Sequence, residues 1–356
     1  MNALMPLIAV GATASGPAPD ETTLKHAGSK IGARLRPVMM SQRLLLFLMA
    51  VLGGWVPFAD AAVVVTHPFE GITFIARTEA NPRPVVMHVV LVDLAAPGVT
   101  LKLTPPGGGR DTTRQTTLNF LRQENAQIAV NVHFFVPYPS DETNANVVGF
   151  AVSQGKVYSP FEPQPVAPGM VDQSYAILPH APALNIDQSN RVTVIHRDPM
   201  DPSNRQVLER VSLWTAFSGS AQIVSNGVKT IPDYSGSPSG LTRSKTYSAT
   251  NSWYSLARAR TAIGVMADQK TLVLFTVDQA GGSGGMSVDE VADLLIKDYQ
   301  VNDALNLDGG GSTTLAMQDP ATKVGRLVNV PNDNPRGRSV GSNLAVFARS
   351  RAAGRP

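Results

Sequence analysis

Residues 261–314 read TAIGVMADQKTLVLFTVDQAGGSGGMSVDEVADLLIKDYQVNDALNLDGGGSTT, and the spacing of their apolar residues changes twice along the way. Thr261 to Met266 and Thr271 to Asp278 are β-branched runs on either side of Asp268-Gln269-Lys270, which predicts a hairpin. Gly281 to Gly285 is a glycine-rich loop. Ser287 with Glu290 three residues on is a capping box, and Val288, Val291, Leu294 and Leu295 then recur at helical spacing to about Gln300. Ala304 to Leu307 is one short buried strand, and Asp308 ends it against three successive glycines. Strand, strand, helix, strand, without internal repeat, predicts an α+β arrangement rather than a regular α/β alternation.

The flanking sequence is strand-rich in the same way. Val63 to Thr66, Gly71 to Arg77, Val85 to Asp93 and Val99 to Leu103 are strand-like runs separated by turn residues, closed by Pro105-Pro106-Gly107-Gly108-Gly109. Thr116 to Asn125 has helical spacing, and Ile128 to Val132 reads as a buried strand ending in His133-Phe134-Phe135. Residues 136–254 are loop-rich, with strand-like pieces at Val147 to Val152, Tyr175 to Leu178, Arg191 to His196 and Ala221 to Val224. That region reads either as an insertion shaping substrate access or as variable decoration. Ser342 to Ala348 supplies a closing strand. The expected fold is α+β: a strand-rich mixed or antiparallel sheet with two or three helices, forming a single catalytic domain over residues 62–350.

Composition narrows the function. The 356 residues are 43% hydrophobic and 16% charged, which suits a packed core, and the net charge of +3 comes from scattered basic residues. Nucleic-acid binding needs a basic face, so none is expected. The absence of cysteine excludes disulfides, thiolate zinc sites and cysteine nucleophiles. Residues 39–61 read as a signal peptide: Arg43, an apolar run from Leu44 to Leu52, and Ala59-Asp60-Ala61 as a small-x-small cleavage site. The run is too short to span a bilayer, so the expectation is a secreted or periplasmic protein with no stable membrane anchor after cleavage. Residues 1–38, rich in Ala, Gly and Pro, read as an extension upstream of the natural start or as disordered chain.

The chemistry concentrates at Asp308 to Thr314. Successive glycines leave backbone N–H groups uncovered, a pattern that forms anion-binding concavities, and Ser312, Thr313 and Thr314 add hydroxyls. Three glycines alone favour a plain Asp-Gly turn. The stretch lacks the Gly-Lys-Ser/Thr element of a nucleotide P-loop.

Four pieces in order resemble the phosphodiester glycosidase family: Asn306-Leu307-Asp308-Gly309-Gly310-Gly311-Ser312-Thr313, Val130-Asn131-Val132-His133-Phe134-Phe135, Arg258-Ala259-Arg260-Thr261-Ala262-Ile263-Gly264 with Val277-Asp278, and Arg338-Ser339-Val340-Gly341-Ser342-Asn343-Leu344-Ala345. The sequence departs from the family pattern at His133 and at Gln279. The resemblance implies a hydrolase acting on sugar-1-phosphodiesters of α-N-acetylglucosaminyl type, with a phosphorylated glycan as substrate and partner. On this reading Asp308 acts on the sugar as nucleophile or as base, and Asp278 is a second carboxylate or a cation ligand. Gly309, Gly310, Gly311, Ser312 and Thr313 cradle phosphate or sugar substituents. Arg260 and Arg338 contact the phosphate, and Asn131, His133 and Asn343 contact the sugar.

The leaving group fits the residue types. A phosphate departs as a weak base, so the protonated carboxylic acid of ordinary glycosidases is needed less, while arginine forks are needed more. No cofactor is required. The six dispersed histidines argue against zinc, and a hard cation such as calcium at Asp278 or Asp308 is compatible with their oxygen donors. Two other readings stand beside this one: a phosphodiesterase cleaving the P–O bond, and a non-catalytic module that binds phosphorylated polysaccharide.

Overall fold

The computed structural model describes residues 61–162, 172–234 and 240–351. The segments read as upstream extension and signal peptide lie outside the described residues, save Ala61. The largest sheet has eight strands in the order Ala62–Phe69, Ile72–Glu79, Val85–Asp93, Thr271–Val277, Arg260–Met266, Val301–Asn306, Ala221–Ser225 and Val228–Lys229. Its neighbours all pair antiparallel, so of the two expected sheet types it is the antiparallel one.

Both faces of this sheet are covered, which is why its central strands read as continuous apolar runs and not as alternating ones. One face carries Met87, Val89, Val273, Phe275 and Val277 against Val288, Val291, Ala292 and Leu295 of the long helix, α2 (Val288–Tyr299). The capping box forms as expected: Ser287 Oγ accepts from Glu290 N, and Glu290 Oε2 accepts from Ser287 N. The other face carries Val90, Val92, Ile263, Leu272, Leu274 and Leu305. These pack on Ile128, Val130, Leu344 and Val346 of a five-stranded sheet, and on Leu184 and Phe217 of a second one. The shorter helix, α1 (Thr117–Glu124), is capped by Thr116 Oγ1 and packs Phe120 and Leu121 under the first of these sheets.

The middle region contributes strands to the core sheets. Lys156–Ser159, Ala151–Ser153, Thr215–Ser218, Ala183–Ile186 and Val192–Ile195 form the second five-stranded sheet, and Ala221–Ser225 joins the large one. Two expectations there are corrected. Val147 to Val152 is split between two strands, Asn144–Val147 and Ala151–Ser153. Tyr175 to Leu178 is a turn, because Ala176 N and Ile177 N both bond back to Gln173 O at 2.9 and 3.0 Å.

Strand order determines where the site forms. Asn306 pairs with Ala262, and Arg260 pairs with Val277. The chain segments leaving these strands, Asp308–Gly311, Ala257–Ala259 and Asp278–Ser283, therefore emerge at the same end of the sheet.

Candidate active site

At that end a cleft of about 280 Å³ is lined by Asp308, Gly309, Gly310, Gly311, Arg258, Arg260 and Arg338. Its walls are aromatic and amide side chains, among them Phe134, Tyr138, Gln173, Tyr175 and Trp253. A larger groove of about 1060 Å³ lies at the opposite end of the strands, around His67, Glu70, Asp93 and Arg351. It is open, and none of the sequence motifs reaches it.

Among the described residues Asp308 is the one carboxylate of the cleft lining, and it is only 8% exposed. Burial pushes its carboxyl up to about 6, against the opposing effects of the Ser312 hydroxyl, the Arg338 charge and the Gly309 N–H. Ser312 links two of these groups. Its Oγ accepts from Arg338 Nη1 at 3.0 Å and donates to Asp308. Arg338 also pairs with Asp333 and lies over the Tyr138 ring, 4.4 Å from its centroid.

Arg260 is 1% exposed and has no ion pair among the described residues. Its Nε donates to Met286 O at 3.2 Å, and its Nη2 to Trp253 O and Leu256 O at 3.1 and 2.6 Å. The guanidinium stacks 4.3 Å from the Trp253 ring. Burial, above all, lowers its pKa to about 10, which leaves it charged at neutral pH. Carbonyl dipoles hold this cation without cancelling its charge, so the cleft keeps a fixed positive field.

The glycine loop lines the cleft and uses several of its N–H groups within the protein. Gly310–Ser312 forms a 3-10 turn in which Ser312 N bonds Gly309 O and Thr313 N bonds Gly310 O. Gly310 N bonds Ala259 O at 2.8 Å, and Thr314 N bonds Asn131 Oδ1 at 3.0 Å. Three N–H groups of the expected anion cradle, those of Gly310, Ser312 and Thr313, are thus spent inside the protein. Ser312 and Thr313 are fully buried, so both hydroxyls work within the wall and do not line the cleft. Two of the glycines also permit close approach. A Cβ at Gly309 would lie 2.9 Å from Ala259 O, and one at Gly311 would collide with the Asp333–Arg338 pair.

Three residues expected to touch the sugar lie beneath the cleft, each fully buried. Asn131 Nδ2 donates to Asp308 O at 2.6 Å, and its Oδ1 accepts from Thr314 N and from Thr261 Oγ1 at 2.9 Å. It joins the strand ends that carry Asp308 and the glycine loop. His133 Nε2 donates to Phe150 O at 3.1 Å while Nδ1 accepts from Ser342 Oγ at 2.7 Å. Burial drops its pKa to about 4, so it is a neutral core histidine. Asn343 Oδ1 accepts from Thr117 Oγ1 at 2.7 Å, tying its strand to the start of α1.

Asp278 is also placed apart. It does not line the cleft. Its Oδ1 accepts from Asn329 Nδ2 and its Oδ2 from Val330 N, both at 3.0 Å, and Asn329 Nδ2 also donates to Thr313 O at 3.2 Å. Asp278 therefore braces the glycine loop from behind, with burial raising its carboxyl to about 6. Asp278 and Asp308 are each surrounded by N–H or O–H donors, and no group of three or more His, Cys, Asp or Glu side chains among the described residues could hold a metal ion.

The sequence reading passed over Arg258, Asp333 and Asn329, and the walls from the middle region, Tyr138, Gln173, Tyr175 and Trp253. Arg258 stands inside a recognised motif, two residues before Arg260 and on the same side of an extended segment, which is a usable signal. The aromatic residues carry no local signal, since only the tertiary fold brings them to Asp308.

The sequence profile of the phosphodiester glycosidase family matches residues 124–347. The chain belongs to the phosphodiester glycosidase family. It is an enzyme, a glycosidase acting on phosphodiesters. No curated protein sequence matches it. Among solved structures, it is similar to the zebrafish N-acetylglucosamine-1-phosphodiester alpha-N-acetylglucosaminidase catalytic domain auto-inhibited by its pro-peptide, with a TM-score of 0.52 and 19% identity over 83% of this chain and 86% of that one. A hypothetical protein from Synechocystis gives a TM-score of 0.52 and 17% identity over 82% of this chain and 64% of that one. At such identities these two likenesses speak for the fold. No helix among the described residues is long and apolar enough to cross a membrane.

Proposed function

We propose that this enzyme is exported and hydrolyses the C1–O bond of sugar-1-phosphodiesters of α-N-acetylglucosaminyl type, carried by envelope or extracellular glycans. The observation that carries the reading is the cleft's charge arrangement: one carboxylate, Asp308, among three arginines. A glycosidase with a sugar alkoxide as leaving group needs a carboxylic acid to protonate it and a second carboxylate to attack or to activate water. A departing phosphate needs no proton, so one carboxylate suffices when cations receive the leaving group. Asp308 then acts as the base that activates water, held by Ser312 and Asn131. Arg338 and Arg260 meet the phosphate, and Trp253 and Tyr175 offer ring surface to the sugar. With no second carboxylate lining the cleft among the described residues to activate water after a covalent step, a single displacement is favoured. The likeness to the zebrafish N-acetylglucosamine-1-phosphodiester alpha-N-acetylglucosaminidase supports the N-acetylglucosamine preference. The 39–61 segment supports export.

Free sugar released from an α-N-acetylglucosaminyl phosphodiester tests this directly. Asp308→Asn should fold and lose roughly 10²–10⁴-fold in kcat. Full activity in that variant, or release of sugar-1-phosphate in place of free sugar, refutes the reading.

A further inference from the structure

The step described above uses Asp308, Arg260 and Arg338 and leaves the cleft's third arginine, Arg258, without a task. Its backbone is fixed on both sides. Arg258 N donates to Met286 O and Arg258 O accepts from Met286 N, both at 3.0 Å, and the adjoining Ala259 O holds Gly310 N. The side chain is exposed, and its Nη1 donates to the neighbouring Ala257 O at 3.2 Å. It forms no ion pair among the described residues. Arg258 also faces a like charge, since repulsion from it is one of the effects, after burial, that lower the Arg260 pKa. Two neighbouring cations on one segment of the cleft lining, without carboxylate partners among the described residues, are both stabilised by an anion placed against them.

The reaction creates such an anion. The phosphodiester enters with one negative charge. When the C1–O bond breaks, its electron pair stays on the phosphate oxygen, the hydroxyl of water joins C1, and the other water proton passes to Asp308. The leaving phosphate monoester thereby gains a second negative charge, its second pKa being about 6.

We propose that Arg258 is a further catalytic residue, binding the departing phosphate and stabilising the second negative charge that develops on it. This role rests on the C–O cleavage proposed above. Arg258 is exposed at the rim, so its side chain can be removed without disturbing the core.

Two measurements on the full chain test it. The first is calorimetric binding of inorganic phosphate to the wild-type protein and to Arg258→Ala, at pH 5 and at pH 8. The expected result is a loss of affinity about tenfold larger at pH 8, where phosphate is a dianion, than at pH 5, where it is a monoanion. The second is steady-state kinetics on the sugar phosphodiester. Arg258→Ala should lower kcat about 10–100-fold with KM changed less than about threefold, and Arg258→Lys should recover part of the loss. Equal weakening of phosphate at both pH values, no weakening at all, or a raised KM with unchanged kcat overturns the proposal for Arg258 alone. Sugar-1-phosphate as the wild-type product overturns the underlying C–O cleavage, and this role with it.

Discussion

Asn131→Ala separates a residue that positions the site from one that touches the sugar. The substitution removes the donor to Asp308 O and the acceptor for Thr314 N, both buried; Thr261 Oγ1 keeps a neighbour in Thr313 Oγ1 at 3.3 Å. Two buried backbone groups without partners cost roughly 1–3 kcal/mol each, so the destabilisation should be about 2–6 kcal/mol. A domain of roughly 290 residues unfolds with an entropy near 0.6 kcal/mol per degree, which converts this to a fall in Tm of about 3–10 °C. The freed Asp308 backbone misplaces its carboxylate, and kcat should fall about 10–100-fold while KM changes little. Thermal unfolding and steady-state kinetics on the sugar phosphodiester measure both. A Tm within about 1 °C of wild type, with KM raised and kcat preserved, would show that Asn131 binds the sugar directly and refute the reasoning.

Other expectations follow from the same geometry. Because burial lifts Asp308 to about 6, kcat/KM should rise with pH through an ionisation near 6; a limb near 4 contradicts this environment. The raised pKa also means that the folded state binds this proton more tightly than the unfolded chain. Its stabilisation is full below about pH 4 and lost as pH rises through 6, so Asp308→Asn should raise Tm at pH 7 and leave it unchanged at pH 4. His133→Ala should lower Tm by several degrees, yet leave KM and the shape of the pH profile unchanged; a lost limb in that profile would return His133 to the reaction. Gly311→Ala pushes a methyl group into the Asp333–Arg338 pair, whose side chains can swing aside. It should keep the fold and lower kcat/KM about tenfold, with unchanged kinetics counting against Arg338 as a phosphate contact.

Local rules reached far into this fold. The β-branched runs, the Ser287–Glu290 box, the hairpin across Asp268 and the aspartate at the end of a buried strand are all recorded in short stretches of sequence, because each depends on neighbours within a few residues. What local rules could not supply was direction. Asn131, His133 and Asn343 sit in motifs beside the site, but whether a side chain at a strand end faces a cleft or a core depends on which sheet packs against it. Here the packing turns all three inward.

The glycine loop shows the division most plainly. The sequence by itself determined that Asp308 ends a strand and meets a backbone without side chains. Only the tertiary structure decided that the loop's N–H groups go to Ala259, Asn131 and the loop itself, and that Asp278 braces it from behind. The same fold brought Trp253, Tyr175 and Arg258 to the cleft. The physical reason is that buried polar groups must find partners, and in an antiparallel fold some of those partners come from strands far away in the chain. Asn131 and Asp308 are 177 residues apart and joined by one hydrogen bond.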